Sequence, residues 1–318
     1  MRAYILESFE SSPQMVDVDK PQPGPGEVLV RVAAVTVNPV DSAIASGDAR
    51  GWLEYRFPVT IGRDLAGTVQ EVGDGVWRFA VGDRVFGYIA EDHARRGSFA
   101  EYVVVPQDQF IVAAPPGLAH TDAAALGLAA VTATMCIDAV GVTESSVLLV
   151  NGATGGVGSY AVQIAKARGA HVIASARPGD EERHVRELGA DEAVDWAGGG
   201  VAEAVRAAHP EGIDTVIDLV TGDPEQLAAL CRGVLREGGS VATTLNAGDP
   251  ALLGSITATN VWSAPEMERL ELIAQLAGDG ALRPPVTDVY DFADLADAFA
   301  AVGRGALGKV AVRLDGAD

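Results

Sequence analysis

The first third of the chain consists of short apolar runs broken by glycine and charged turns. Residues 27–37, EVLVRVAAVTV, alternate in part and are rich in valine, which predicts a strand. Residues 65–72 and 84–88 are shorter strand candidates, with turn chemistry at GDG (73–75) and GD (82–83). Residues 101–105 and 110–112 continue the series. Many short strands punctuated by glycine predict an antiparallel or mixed, barrel-like unit.

The texture changes near Thr121. Residues 121–140, TDAAALGLAAVTATMCIDAV, are alanine-rich and predict one helix, N-capped by Thr121 or Asp122. Strand and helix patterns then alternate, with strands at 147–150, 171–175, 215–219 and 240–244 and helices at 158–168 and 180–188. That alternation predicts parallel βαβ units with both sheet faces covered. A helix at 265–276 leads away from this unit, and the tail reads as a helix (291–302) followed by a strand (309–314).

Length and composition narrow the class. A chain of 318 residues accommodates two domains, and 48% hydrophobic with 21% charged residues is a globular balance. The formal charge of −21 disfavours nucleic acid and anionic membranes as partners and fits a solvated acidic surface. Residues 145–165 carry no charge, which is long enough to raise the question of a membrane span. Asn151, Gly152, Thr154, Gly155, Gly156, Gly158, Ser159 and Gln163 interrupt that stretch, which reads instead as strand, turn and helix start, so no membrane insertion is expected. The N-terminal MRAYILESFESS lacks the basic start and long apolar core of a signal peptide, and a cytoplasmic location is expected. Cys136 and Cys231 form no CxxC pair; buried reduced thiols are the default, and a disulfide between them stays open.

The sharpest motif is VLLVNGATGGVGSYAVQIAKARGAHVIASAR, residues 147–177. An apolar strand runs into Gly152, Gly155, Gly156, Val157 and Gly158 and then into an amphipathic helix, with another strand after it. Glycines there permit a tight turn and a close backbone approach to a pyrophosphate, and the helix N-terminus offers free N–H groups to the phosphates. The spacing is GxxGxxG rather than GxGxxG. The end of the second strand separates the two nicotinamide cofactors. A carboxylate there bonds the ribose hydroxyls of NAD. Here the positions hold Ser175, Ala176 and Arg177, and an arginine beside a serine hydroxyl suits the extra phosphate of NADPH. Asp180, Glu181 and Glu182 are read as acids charging the next helix start.

With these residues placed, nearly the whole chain resembles the medium-chain dehydrogenase/reductase superfamily and, within it, the zinc-free quinone oxidoreductase (zeta-crystallin-like) branch. The match runs through NPVDSAIASG (38–47), IGRDLAGTVQEVGDGVWRFAVGDRVFG (61–87), GSFAEYVVVP (97–106), DAAALGLAAVTA (122–133), the 147–177 motif, RELGADEAVD (186–195) and GKVAV (308–312). The resemblance implies an α/β protein with a GroES-like β-barrel catalytic domain, residues 1–122 and 263–318. A Rossmann NADPH-binding domain with a doubly wound parallel sheet is inserted at 123–262. The cleft between the two would hold the nicotinamide, and a homodimer is implied. The branch commonly has AxxGxxG where this chain has Gly152, a mild departure.

Zinc-dependent relatives carry a catalytic cysteine in the first domain and a GHE segment. The first 135 residues here contain no cysteine, the GHE position holds Gly62, Arg63 and Asp64, and a four-cysteine lobe is missing, so no metal is expected. His93, His120, His171, His184 and His209 are scattered and are read as surface or loop residues. By resemblance, Asn38 and Asp41 of the NPxD motif are the catalytic-site candidates, against a turn-capping alternative. Thr132, Leu219, Val220 and Lys309 are cofactor-side candidates, and Asp218 ends the strand that passes the ribose. Tyr55 and Tyr88 are the available proton donors, against core packing; Tyr55 is carried as the candidate. Hydride delivery to a quinone or enone needs mainly proximity and orientation. Three readings remain: an NADPH-dependent quinone or enone reductase, an enoyl-thioester reductase of lipid or polyketide synthesis, and a non-enzymatic NADPH-binding redox sensor.

Overall fold

The computed structural model describes residues 1–198, 200–264 and 266–314. The chain forms two compact units, Met1–Val131 with Ala264–Asp318, and Thr132–Ser263.

The spine of the first unit is the eleven-residue strand Glu27–Val37. Its sheet runs Ile111–Ala113, Arg84–Tyr88, Asp64–Val72, Glu27–Val37, Lys309–Arg313, Val286–Asp291. On one edge the spine changes partner along its length: residues 27–31 pair with Tyr102–Pro106, and residues 34–37 pair with Lys309–Arg313, in register Val310 opposite Val37. This is why the two ends of the sequence belong to one unit. Partial alternation in the spine has a simple cause, since nine of its eleven residues are buried and both faces are covered. Val28, Val30, Val32, Ile61, Leu65, Val85, Phe99, Phe292, Val310 and Val312 share one core. Burying each such side chain contributes about 1.5–3 kcal/mol. The strands Arg2–Leu6 and Gln14–Asp17, and the helix Pro39–Ser46, add to the pattern read from sequence.

The second unit is a six-stranded all-parallel sheet in the order Glu192–Val194, His171–Ser175, Val147–Asn151, Ile213–Asp218, Leu235–Thr243, Thr257–Asn260. Numbered within the unit, this is the doubly wound order 3-2-1-4-5-6. The order reverses between Val147–Asn151 and Ile213–Asp218, where Asn151 lies opposite Asp218. Cys136 and Cys231 are both buried free thiols, and burial pushes each up to about 12.

The expected single helix at 121–140 is two, His120–Ala125 and Leu128–Ala139, and the first starts after Ala119 rather than at a Thr121 or Asp122 cap. The break has a chemical cause: the Leu128 N–H turns to Asp64 Oδ1 at 2.7 Å. The helix His120–Ala125 also packs on the spine, on Asp64–Val72 and on Lys309–Arg313. The units therefore divide at 131/132 and 263/264, not at the expected 122/123 and 262/263. The helix expected at 265–276 is Met267–Gly278, and Pro265 lies outside the described residues.

Candidate functional site

In the second unit, the strand Val147–Asn151 ends at the point where the sheet order reverses, and the glycine turn follows directly. Loops outside the carboxyl ends of the strands at such a reversal are the ligand positions of open α/β sheets. Gly152 has a φ of 89°, a conformation that side-chain-bearing residues rarely adopt. A Cβ on Gly158 would lie 2.2 Å from the Gly152 carbonyl oxygen, so close packing of turn against helix requires glycine there. A Cβ on Gly155 would meet nothing nearer than 3.8 Å, which leaves its side of the turn open for a ligand. The helix Gly156–Ala167 begins after Gly155 with no side-chain cap, so the N–H groups of its first turn, from Gly156, Val157 and Gly158, retain the anion-binding capacity of a helix start. These features fit the pyrophosphate of a dinucleotide.

Neighbouring groups hold the turn in shape. Ser175 Oγ accepts the Gly152 N–H at 2.8 Å and is 2% exposed. It fastens the turn to the adjacent strand. Asp218 does the same for the facing loop: it accepts the N–H groups of Val220 and Thr221 at Oδ1, and Asn151 Nδ2 (2.7 Å) and Thr221 Oγ1 (3.0 Å) at Oδ2. Val220 is exposed beside Gly152, where a Cβ would meet Val220 Cγ1 at 2.8 Å and Leu219 Cβ at 3.1 Å. Thr132 is buried in the helix Leu128–Ala139.

Arg177 stands just past the strand His171–Ser175. Glu181 accepts its backbone N–H and its Nε, both at 2.7 Å, and Trp196 Nε1 at 2.8 Å. The guanidinium lies 5.0 Å from the Trp196 ring centroid. Burial alone would raise the Glu181 carboxyl; the hydrogen bonds from Arg177 and Trp196 outweigh it and hold the group below the usual carboxylate range. Glu181 is therefore more than a helix-start acid. It fixes one edge of a guanidinium whose side chain is still 54% exposed. The contact reduces the rotamer freedom of the guanidinium and leaves its other edge exposed.

The first unit brings a different set together. Asp64 and Lys309 are 0% and 3% exposed, and Lys309 Nζ lies 3.0 Å from Asp64 Oδ2. The same carboxylate oxygen accepts Thr36 Oγ1 at 2.5 Å and Asn38 Nδ2 at 2.9 Å, and Lys309 Nζ also donates to Asn38 Oδ1 at 2.7 Å. Lys309, the cofactor-side candidate, holds its ammonium in a buried ion pair that ties the last strand to the start of the strand Asp64–Val72. Asn38 is likewise buried, and its side chain bridges the pair.

Asp41, in the helix Pro39–Ser46, is fully buried. Its Oδ2 accepts the Asn38 N–H at 2.8 Å, and its Oδ1 has no hydrogen-bond partner. Burial raises its carboxyl to about 7; the Asn38 hydrogen bond opposes this, Asp64 adds to it, and Arg63 and Lys309 oppose it. Asn38 and Asp41 thus brace the start of the helix Pro39–Ser46. Tyr55, expected as a proton donor, donates its hydroxyl to the Ile44 carbonyl at 3.0 Å, and its ring packs on Phe9 and Phe57. Burial also raises its hydroxyl. Tyr88 donates to the Ala264 carbonyl at 2.5 Å. Arg63 Nη1 donates to the Ile89 carbonyl at 2.8 Å. Asp64 was the member missed from sequence. The available signal was a lone acid opening an apolar run, DLAGTV, which a buried strand tolerates only with a partner.

Comparison with known proteins agrees with this geometry. Residues 24–116 match the alcohol dehydrogenase GroES-like domain, and residues 156–255 match the zinc-binding dehydrogenase family. The mitochondrial NAD(P)H oxidoreductase RTN4IP1 of Homo sapiens is 32% identical over 336 residues, covering 91% of this chain and 82% of that protein. The quinone oxidoreductase of Sus scrofa is 32% identical over 310 residues, covering 94% and 92%. Among solved structures, an NAD-dependent alcohol dehydrogenase superposes with a TM-score of 0.86 at 29% identity, covering 98% of this chain and 99% of that one.

Proposed function

Because the chain belongs to the medium-chain dehydrogenase/reductase superfamily as a quinone oxidoreductase-like member, we propose that it is a zinc-independent reductase that takes its hydride from NADPH and delivers it to a quinone or another α,β-unsaturated carbonyl. Its relatives identify it as an oxidoreductase that uses a nicotinamide cofactor. The observation that carries the choice of NADPH is Arg177, oriented by Glu181 and Trp196 at the end of the strand next to the glycine turn. The nicotinamide supplies the hydride. The residues of this chain supply the cradle: Gly152, Gly155, Gly156, Val157 and Gly158 for the pyrophosphate, Leu219 and Val220 beside the turn, and Arg177 for the added phosphate.

Zinc independence rests on what occupies the corresponding segment. Asp64 already takes three donors at Oδ2 and a backbone N–H at Oδ1, and Arg63 is a cation turned to a backbone carbonyl. A carboxylate so satisfied, beside an ammonium, is a poor ligand for a second cation. Without a Lewis acid, the developing oxyanion of the acceptor takes hydrogen bonds from backbone, hydroxyl or solvent, and positioning dominates the rate. The protein is proposed to act in the cytoplasm as a homodimer on small molecules, without nucleic acid or membrane partners; its charge of −21 supports the last two points.

The test is cofactor oxidation, followed by nicotinamide absorbance, against a panel of quinones, enones and an enoyl-thioester. Turnover with quinones or enones is expected. Turnover confined to the thioester would move the protein to acyl-carrier chemistry. Tight NADPH binding with no turnover across the panel would make it a binding protein.

A further inference from the structure

Two of the five histidines that look scattered in sequence meet in the second unit. His171 opens the strand His171–Ser175, Glu192 opens the neighbouring strand Glu192–Val194, and His209 follows the helix Val201–Ala208 as its C-cap. Glu192 pairs in register with Ile173, and His171 lies two residues before Ile173, on the same sheet face. The parallel register thus brings His171 and Glu192 side by side, and the helix end delivers His209 to the same spot. His171 Nε2 lies 2.6 Å and His209 Nε2 3.1 Å from one oxygen, Glu192 Oε1. The imidazole centroids are 5.9 Å apart at 61°. One ligand atom from each of the three residues falls within 4.8 Å of the others.

We propose that His171, Glu192 and His209 form a binding site for one zinc-class divalent cation, separate from the nucleotide turn. Two imidazoles and a carboxylate are a known zinc donor set, with metal–ligand distances of about 2.0–2.1 Å. A tetrahedron of that size has edges of roughly 3.3 Å between ligand atoms. The two imidazole-to-carboxylate separations, 2.6 and 3.1 Å, lie within an ångström of that edge, and all three ligand atoms lie within 4.8 Å of one another. The side chains are 41%, 33% and 21% exposed for His171, Glu192 and His209, so an ion can enter and a water can complete the coordination. The other ring nitrogen of His171 lies 3.8 Å from Asp191 Oδ2. That carboxylate is itself held by Lys166 Nζ and the Val172 N–H. The chain's net charge of −21 favours cation approach.

The place of the site in the fold defines its role. His171 and Ser175 are the two ends of one strand, so the cluster lies about 13 Å from the residue that fastens the glycine turn. A bound cation would tie two strand starts and a helix end together and stabilise the unit without touching the nucleotide cradle.

The experiment uses the full chain, stripped with a chelator and dialysed. Zinc is titrated calorimetrically, cobalt(II) is added as a spectroscopic probe, and melting is followed with and without zinc. One equivalent of zinc, visible bands of four-coordinate cobalt and a raised Tm are expected. His209→Ala and Glu192→Gln should each weaken zinc binding at least tenfold and abolish the zinc-dependent rise in Tm, with turnover of the zinc-free variants unchanged. Cys136 and Cys231 are buried, and Cys136→Ala and Cys231→Ala should leave the titration unaltered. The assignment is overturned if the wild-type chain shows neither heat nor cobalt bands, or if the folded, active variants bind zinc as tightly as wild type.

Discussion

Asp41→Asn isolates the energetic consequence of one buried acid. The Asp41 carboxyl sits at about 7 in the fold against an ordinary value of 3.8. Its folded-state pKa is therefore raised above the unfolded one, so the native state holds the proton longer. Its contribution is fully present below about pH 4 and is lost as pH rises through about 7. At about 1.4 kcal/mol per pH unit, the gap amounts to roughly 4 kcal/mol of stability forfeited on the alkaline side. Asparagine keeps an oxygen to accept the Asn38 N–H and cannot ionise. The variant should therefore gain on wild type as pH rises, by roughly 3 kcal/mol between about pH 5 and pH 8, on the same arithmetic. Urea unfolding of both proteins at the two pH values measures it, with the slope m checked for constancy. Because the same difference is taken at each pH, contributions from other carboxylates cancel. A stability difference that stays constant or shrinks with pH would refute the assignment of a neutral Asp41.

Two further substitutions test the rest of the first unit. Lys309→Met leaves Asp64 buried without its cation and should cost about 3–5 kcal/mol of stability by urea unfolding; a loss below about 1 kcal/mol would show that the pair does not hold the last strand. Tyr55→Phe removes one hydrogen bond to the Ile44 carbonyl and should cost about 1 kcal/mol with turnover within about twofold of wild type; abolished turnover at intact cofactor affinity would make Tyr55 a proton donor.

What was legible in the sequence is what short-range chemistry determines. The valine-rich run became the strand Glu27–Val37, and RVFGY became Arg84–Tyr88. The glycine turn between strand and helix stands where the motif placed it, because each glycine answers to neighbours within a few residues. Side-chain commitments were not legible. Lys309 and Asp64 are 245 residues apart, and only the closure of the sheet by the last strand makes them a pair. For Ser175 the sequence shows a hydroxyl but not the Gly152 N–H that its oxygen accepts. Glu181 looked like a helix-start acid, yet it bonds both Arg177 and Trp196, a contact that depends on the strand Glu192–Val194 pairing beside His171–Ser175 and carrying Trp196 there. His171 and His209 looked scattered because parallel register, which brings strand starts together, leaves no mark in spacing.

We propose that Arg177 reads the ribose 2′-phosphate that distinguishes NADPH from NADH. The most direct measurement is kcat/KM for NADPH and for NADH with one quinone acceptor, in wild type and Arg177→Ala. Charge-assisted hydrogen bonds contribute about 1.5–3 kcal/mol, so wild type should prefer NADPH by roughly 10- to 100-fold. The variant should lose most of that preference through NADPH alone, with NADH kinetics unchanged. Equal use of the two cofactors by wild type, or a preference that survives the substitution, would contradict the account.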